Sequence, residues 1–181
     1  MIFLGLGSNL QSDFGDRYEN IELAINYLRE NNINLLQKSS FYESVSYPNK
    51  NDPKFINVVI SVETPLKSVD LMNRLLLVEE KLGRKRFKKN DPRTCDIDII
   101  DFHGKIINTK LNNFELNIPH KKMTERNFVL YPLKEICPNW KHPKTKDSID
   151  ILIKNLKTSN NEITKLNQND IISYVKWRWI N

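Results

Sequence analysis

Cysteine is scarce: two in 181 residues, Cys95 and Cys137, with no Cys-x-x-Cys spacing and no histidine cluster beside either. That argues against a disulfide framework and against a thiolate metal site, and points to a reducing cytoplasm. Long apolar runs are missing as well. Mean hydropathy is −0.53, and no stretch approaches the eighteen or so consecutive apolar residues of a membrane span. No membrane partner is expected. The opening Met1-Ile2-Phe3-Leu4-Gly5 has neither the basic n-region nor the small-residue cleavage site of a secretory signal, and reads as a first strand. Repeats and low-complexity tracts are absent too. At 39% hydrophobic, the chain is long enough for one well-formed core and short for two. The organisation expected is one domain over residues 1–158, with residues 159–181 as a C-terminal extension packed on it.

What is present in excess is positive charge. The net charge is +6 and the pI near 9.2, which invites a nucleic-acid hypothesis. Most of the excess lies in one segment, where Arg84, Lys85, Arg86, Lys88, Lys89 and Arg93 face a single acid, Asp91. Nucleic-acid binders spread charge along a face to track a backbone. One concentrated basic loop suits a small polyanion better, although a charge run is also what a solvated loop looks like.

Periodicity gives the elements. Ile2 to Leu6 reads as a buried strand ending in the turn signal Gly7-Ser8-Asn9. Asp16 with Glu19 forms a capping box ahead of Ile21, Ala24, Ile25 and Leu28 at helical spacing. Leu35–Ser44 reads as a second strand, residues 45–54 as a loop of breakers, and Phe55–Glu63 as a third strand. Ser68 is the expected N-cap of a helix carrying Leu71, Met72, Leu75, Leu76 and Leu82, with Gly83 as its stop. A strand over Thr94–Phe102 completes the order β-α-β-β-α-β. That is the split βαβ of a ferredoxin-like α+β sheet with helices packed on it. Downstream, Lys121–Ile136 is expected to be helical but interrupted at Pro132, and Ser148 to cap a short helix through Leu156. The final twenty residues alternate polar with apolar as a strand would.

The sharpest chemical signal is Asp96-Ile97-Asp98. On a strand, side chains two apart share a face, with Cα atoms roughly 6.5–7 Å apart. Paired carboxylates there repel unless a cation lies between them. Hard oxygen ligands of this kind suit Mg²⁺, which shares its shell with substrate phosphates. A solvated edge-strand face is the competing reading. Arg93, three residues before Asp96, is close enough to grip the phosphates of the same ligand bidentately. A cation-binding pair beside an anion-binding loop is what phosphoryl-type transfer requires. His120 shares a segment with Arg126 and Phe128. Phe55 and Asn57 share a strand face, where a flat heterocycle could stack on the ring and be read by the amide, or the ring could be core.

In order along the chain stand Gly7-Ser8-Asn9, Ser40-Phe41-Tyr42, Phe55-Ile56-Asn57, Asp91-Pro92-Arg93-Thr94-Cys95-Asp96-Ile97-Asp98, Pro119-His120 and Arg126-Asn127-Phe128. Over residues 1–143 the chain resembles the 6-hydroxymethyl-7,8-dihydropterin pyrophosphokinases of folate synthesis. The resemblance implies a ferredoxin-like monomer taking ATP and then the pterin. It implies two Mg²⁺ ions on Asp96 and Asp98, and phosphate contacts from Arg84, Arg86 and Arg93. Glu79, Arg84, Arg93, His120 and Arg126 would form the ATP site. Ser44, Val45, Phe55, Asn57, Asp96 and Phe128 would form the pterin site. The implied reaction is attack of the hydroxymethyl oxygen on the β-phosphorus of ATP, releasing AMP. Asp91 stands where that family usually has glycine, Asn90 near a frequent tryptophan, and Lys121 in place of a common tyrosine. Two other readings compete: a ferredoxin-like nucleic-acid module using the basic loop, and a metal-dependent nuclease using the same aspartates. The paired carboxylates oppose the first. The second lacks the further carboxylates and general base it would need.

Overall fold

The computed structural model describes residues 1–47, 49–84, 91–110, 115–157 and 162–167. Arg86 and the aromatic stretch from Tyr174 to Trp179 fall outside them. β1 (Ile2–Ser8) is an inner strand of a sheet ordered β5 (Asp96–Phe102), β1, β4 (Phe55–Glu63), β3 (Tyr42–Ser44), β8 (Ile163–Lys165), with β2 (Asn34–Lys38) also paired to β4. α1 (Arg17–Glu30) starts at the expected capping box. Asp16 Oδ1 accepts from the Tyr18 and Glu19 backbone N–H groups at 2.8 and 3.0 Å, and Glu19 Oε2 accepts from Asp16 N–H at 2.7 Å.

The strand expected over Leu35–Ser44 is two strands, β2 (Asn34–Lys38) and β3 (Tyr42–Ser44), both antiparallel to β4 (Phe55–Glu63). The break comes at Ser39. Its N–H donates to the Val59 carbonyl at 3.0 Å, but the return bond from Val59 N–H goes to its hydroxyl, 3.1 Å, instead of a carbonyl. A side chain has replaced a ladder acceptor, and regular pairing lapses there. α2 (Ser68–Lys81) is capped at Lys67 with no side-chain cap bond, so Ser68 lies one residue inside the helix instead of capping it. Gly83, at φ +77°, follows the C-cap Leu82 as expected of a stop.

β5 (Asp96–Phe102) begins two residues later than the sequence suggests. Next comes a hairpin the sequence reading did not anticipate, β6 (Ile107–Lys110) against β7 (Glu115–Ile118). The expected helix over Lys121–Ile136 resolves into a 3-10 turn at Met123–Glu125 and α3 (Asn127–Ile136), divided at the extended residue Arg126. Pro132 is inside α3 and does not interrupt it. Ser148 Oγ accepts from Ile151 N–H at 3.4 Å and caps α4 (Ile149–Lys154), which ends short of Leu156. β8 (Ile163–Lys165) pairs with β3.

The helices α1 and α2 bury one face of the sheet through Ile2, Leu4, Leu6, Ile56, Val58, Ile97 and Ile99. On the opposite face Phe3, Val59 and Ile100 pack beneath Val129, Leu130 and Leu133 of α3 and Ile149 and Leu152 of α4. Both faces are therefore covered, which alternating residues of one strand make possible. Part of the second face is left for polar side chains.

Candidate active site

Register fixes that part. Asp96 lies opposite Gly7 on β1, and Gly7 lies opposite Asn57 on β4, which faces Tyr42 on β3. One row up, Asp98 lies opposite Gly5. Cross-strand partners share a face, so Gly7 stands between Asp96 and the Asn57 amide with no side chain between, and Gly5 stands between Asp98 and Val59. A Cβ on Gly7 would come within 3.3 Å of Asn57 Oδ1 and 3.5 Å of the Phe55 ring. The bare backbone is part of the site's floor.

Three arginines converge on the carboxylates. Arg84 Nη1 lies 2.5 Å from Asp96 Oδ1 and Arg93 Nη2 lies 3.0 Å from Asp96 Oδ2. Arg126 Nη1 donates to Asp98 Oδ2 at 2.9 Å, with His120 Nε2 4.0 Å from the same oxygen. The chain thus supplies cations of its own against the repulsion that the sequence predicts. Arg84 also pairs with Glu79, a carboxylate only 2% exposed, whose Oε1 accepts from the Ile97 N–H at 2.7 Å. Burial works against charge on Arg84, but Asp96 and Glu79 outweigh it and raise its pKa. Burial draws the His120 pKa down, against the pull of Asp98, and favours the neutral imidazole at pH 7.

Arg93 is held by its backbone. Its N–H donates to Asn9 Oδ1 at 2.7 Å, and its carbonyl accepts from Asn9 and Leu10 N–H at 3.1 and 3.2 Å. The Asn9 amide donates on to Pro53 O at 3.0 Å and Ser46 Oγ at 3.4 Å. One turn after β1 therefore ties the end of the basic segment to the loop at 45–54. Each of two aromatics carries one of the site's arginines. Arg93 lies over the Phe55 ring at 5.3 Å and Arg126 over Phe128 at 5.5 Å. Asn57, buried, donates to Ser44 Oγ at 3.0 Å and to the Tyr42 carbonyl at 3.2 Å. Val45 follows, half-buried.

Of the expected residues, Glu79, Arg84, Arg93, Asp96, Asp98, His120 and Arg126 form one charged network, Phe55 and Phe128 lie against its arginines, and Asn57 with Ser44 forms a separate hydrogen-bonded group across Gly7. Sequence reasoning missed a neighbouring cavity of about 220 Å³ between α2 and the hairpin, lined by Met72, Asp98, Ile99, Leu116, Asn117 and His120. It missed the roles of Gly5, Gly7 and Asn9 as well. Of these, only the Gly-Ser-Asn turn left a trace in the sequence.

A strand-borne carboxylate pair bracketed by arginines, beside a cavity in an α+β sheet, is the arrangement of a transferase that handles polyphosphate. Residues 3–138 match the 7,8-dihydro-6-hydroxymethylpterin-pyrophosphokinase (HPPK) family, and the chain belongs to that family. It is 39% identical over 142 residues to the 2-amino-4-hydroxy-6-hydroxymethyldihydropteridine pyrophosphokinase of Aquifex aeolicus, covering 78% of this chain and 83% of that one. With the folic acid synthesis protein FOL1 of Dictyostelium discoideum it shares 35% identity over 168 residues, 89% of this chain but only 23% of that protein. The crystal structure of wild-type Plasmodium falciparum HPPK-DHPS shares the fold at a TM-score of 0.65 and 17% identity, over 84% of this chain and 44% of that chain. Among the described residues no helix is long and apolar enough to cross a membrane.

Proposed function

We propose that this chain transfers diphosphate from ATP to the hydroxymethyl oxygen of 6-hydroxymethyl-7,8-dihydropterin, releasing AMP, with Asp96 and Asp98 as the ligands of two Mg²⁺ ions. The observation that carries this reading is the convergence of Arg84, Arg93 and Arg126 on two partly exposed carboxylates of one strand face. Among the described residues no third acid, histidine or cysteine joins them as a metal cluster. That donor set fits Mg²⁺, which binds through one or two carboxylates and completes its shell with waters and phosphate oxygens. Bound there, the metal neutralises charge on the polyphosphate.

The chain's own residues do the rest. Arg84 and Arg93 exchange carboxylate for phosphate oxygens, for which a guanidinium fork is equally suited. Arg86 is assigned to the same phosphates on the family resemblance. Glu79 holds Arg84 in place. The base enters the cavity between α2 and the hairpin, with His120 and Arg126 at its phosphate side. On the other side Phe55 and Phe128 stack on the pterin. Asn57 presents Oδ1 to it, its N–H groups being engaged by Ser44 and Tyr42, and the backbone at Ser44 and Val45 lines the edge. The hydroxymethyl oxygen then attacks the β-phosphorus in line. The bond from that phosphorus to the α,β-bridging oxygen breaks, AMP departs with the bridging oxygen, and the hydroxyl proton passes to solvent. Positioning and charge neutralisation supply the rate, and no side-chain base is required. We take the chain to act as a cytoplasmic monomer, residues 1–158 forming the working domain.

Incubation with ATP, Mg²⁺ and the hydroxymethyl dihydropterin, followed by chromatography, is expected to yield equimolar AMP and pterin diphosphate. A folded protein that yields neither overturns the reading.

A further inference from the structure

The side chains of Ser40 and Tyr42 have no part in the chemistry above, yet they converge on a single carboxylate. Glu135, in the last turn of α3, accepts from Ser40 N–H at 3.1 Å and Ser40 Oγ at 2.8 Å through Oε1. Through Oε2 it accepts from Tyr42 Oη at 2.7 Å, and Lys165 Nζ of β8 lies 3.4 Å away. Four groups, two from Ser40 in the link between β2 and β3, one from β3 and one from β8, thus meet one side chain of the helix above them. Such a cluster is more than a surface ion pair, since three of its contacts are hydrogen bonds to a charged acceptor.

Register shows where the cluster leads. Lys165 pairs with Tyr42, Tyr42 with Asn57, Asn57 with Gly7, and Gly7 with Asp96. One cross-strand row therefore runs from beneath Glu135 to the first aspartate. The Tyr42 carbonyl in that row accepts from Asn57 Nδ2, and Ser44 Oγ, two residues on, accepts from it too. Those two acceptors, with the Phe55 carbonyl at 3.4 Å as a longer third, decide which way the amide points. The strand carrying the first two is three residues long, with three pairs to β4 on one side and three to β8 on the other, so its ladders are short and side-chain contacts from above add to what holds it.

We propose that Glu135 is a positioning residue for pterin recognition: by clamping Ser40 and Tyr42 it holds β3 where Tyr42 and Ser44 orient the Asn57 amide toward the pterin. This rests on the reading of Asn57 given above. The same helix places Arg126 and Phe128 at its other end, so α3 acts as a strut between the two rims of the site.

The test uses Glu135→Ala and Tyr42→Phe, the second keeping the ring and removing only the hydroxyl. Dissociation constants for the pterin and for MgATP are measured by calorimetry, with KM and kcat alongside. Pterin binding is expected to weaken about tenfold in Glu135→Ala and severalfold in Tyr42→Phe, with KM for the pterin rising far more than kcat falls. MgATP affinity should stay within about twofold. Combined with Asn57→Ala, neither variant should lose more pterin affinity than Asn57→Ala alone. Equal losses for both substrates, or additive losses with Asn57→Ala, would leave Glu135 a purely structural residue and overturn the proposal. If Glu135→Ala does not fold, Tyr42→Phe decides alone. A wild-type affinity for pterin that Asn57→Ala leaves unchanged would instead overturn the assignment of Asn57, and a chain that binds no pterin would overturn the function.

Discussion

Gly7 has Asp96 across one ladder and Asn57 across the other, and its lack of a side chain leaves the space between them open. A methyl group there would lie 3.3 Å from Asn57 Oδ1, closer than side chains ordinarily settle, so the amide must yield by a few tenths of an ångström. Gly7→Ala is expected to raise KM for the pterin several-fold while MgATP affinity holds. An unchanged KM would mean that Asn57 does not read the pterin from this side. Phe128 offers a complementary measurement. Stacking on an aromatic contributes about 1–3 kcal/mol per base, so Phe128→Ala should weaken pterin binding about tenfold or more and MgATP binding by less than twofold. Calorimetry showing equal losses would contradict its stacking role.

At the scale of elements, the turn joining α3 to α4 depends on a neutral histidine. His142 Nδ1 accepts from the Lys144 and Thr145 N–H groups at 3.3 and 3.2 Å, which a protonated ring cannot do. Burial lowers its pKa from 6.5, against opposing pulls from Asp147 and Asp101. A base with a depressed folded-state pKa contributes stability above its unfolded pKa and loses it as the pH falls. Thermal stability should therefore decline as pH drops from about 7.5 through 6.5, and His142→Asn should flatten that decline. A slope identical in both proteins would place the titration elsewhere. The element boundaries divide the same way between local and distant causes. The Asp16–Glu19 box was legible because its partners are three residues apart. The break at Ser39 was not, because it depends on Val59, twenty residues away. Pro132 predicts an interruption, yet Val129, Leu130 and Leu133 hold α3 against the sheet around it. The β6–β7 hairpin escaped notice because its strands are four residues each, too short for a period to register.

Over the whole molecule, the legible part of the site was the part written contiguously: Arg93, Asp96 and Asp98 within six positions, with the basic run before them. Arg126 reaches Asp98 from 28 residues away, and Asn9 reaches Arg93 from 84, distances no spacing rule covers. What the fold adds is a change in electrostatic balance. Three arginines already answer the two aspartates, so metal is not needed to make the carboxylates tolerate each other. The metal proposed above would therefore answer the polyphosphate, which brings more negative charge than the arginines can neutralise. A separation of binding from turnover follows. Asp98→Asn removes one negative charge and frees Arg126 for phosphate, so ATP in the presence of EDTA should bind at least as tightly as to the wild type. AMP formation with Mg²⁺ should nonetheless fall by two orders of magnitude or more, the scale on which removing one transition-state stabiliser acts, with the circular dichroism spectrum unchanged. EDTA should abolish turnover in the wild type and Mg²⁺ restore it. If Asp98→Asn turned over normally, the acid pair would be structural; if it lost ATP affinity in EDTA as steeply as it lost turnover, the pair would be organising the arginines and not the metal.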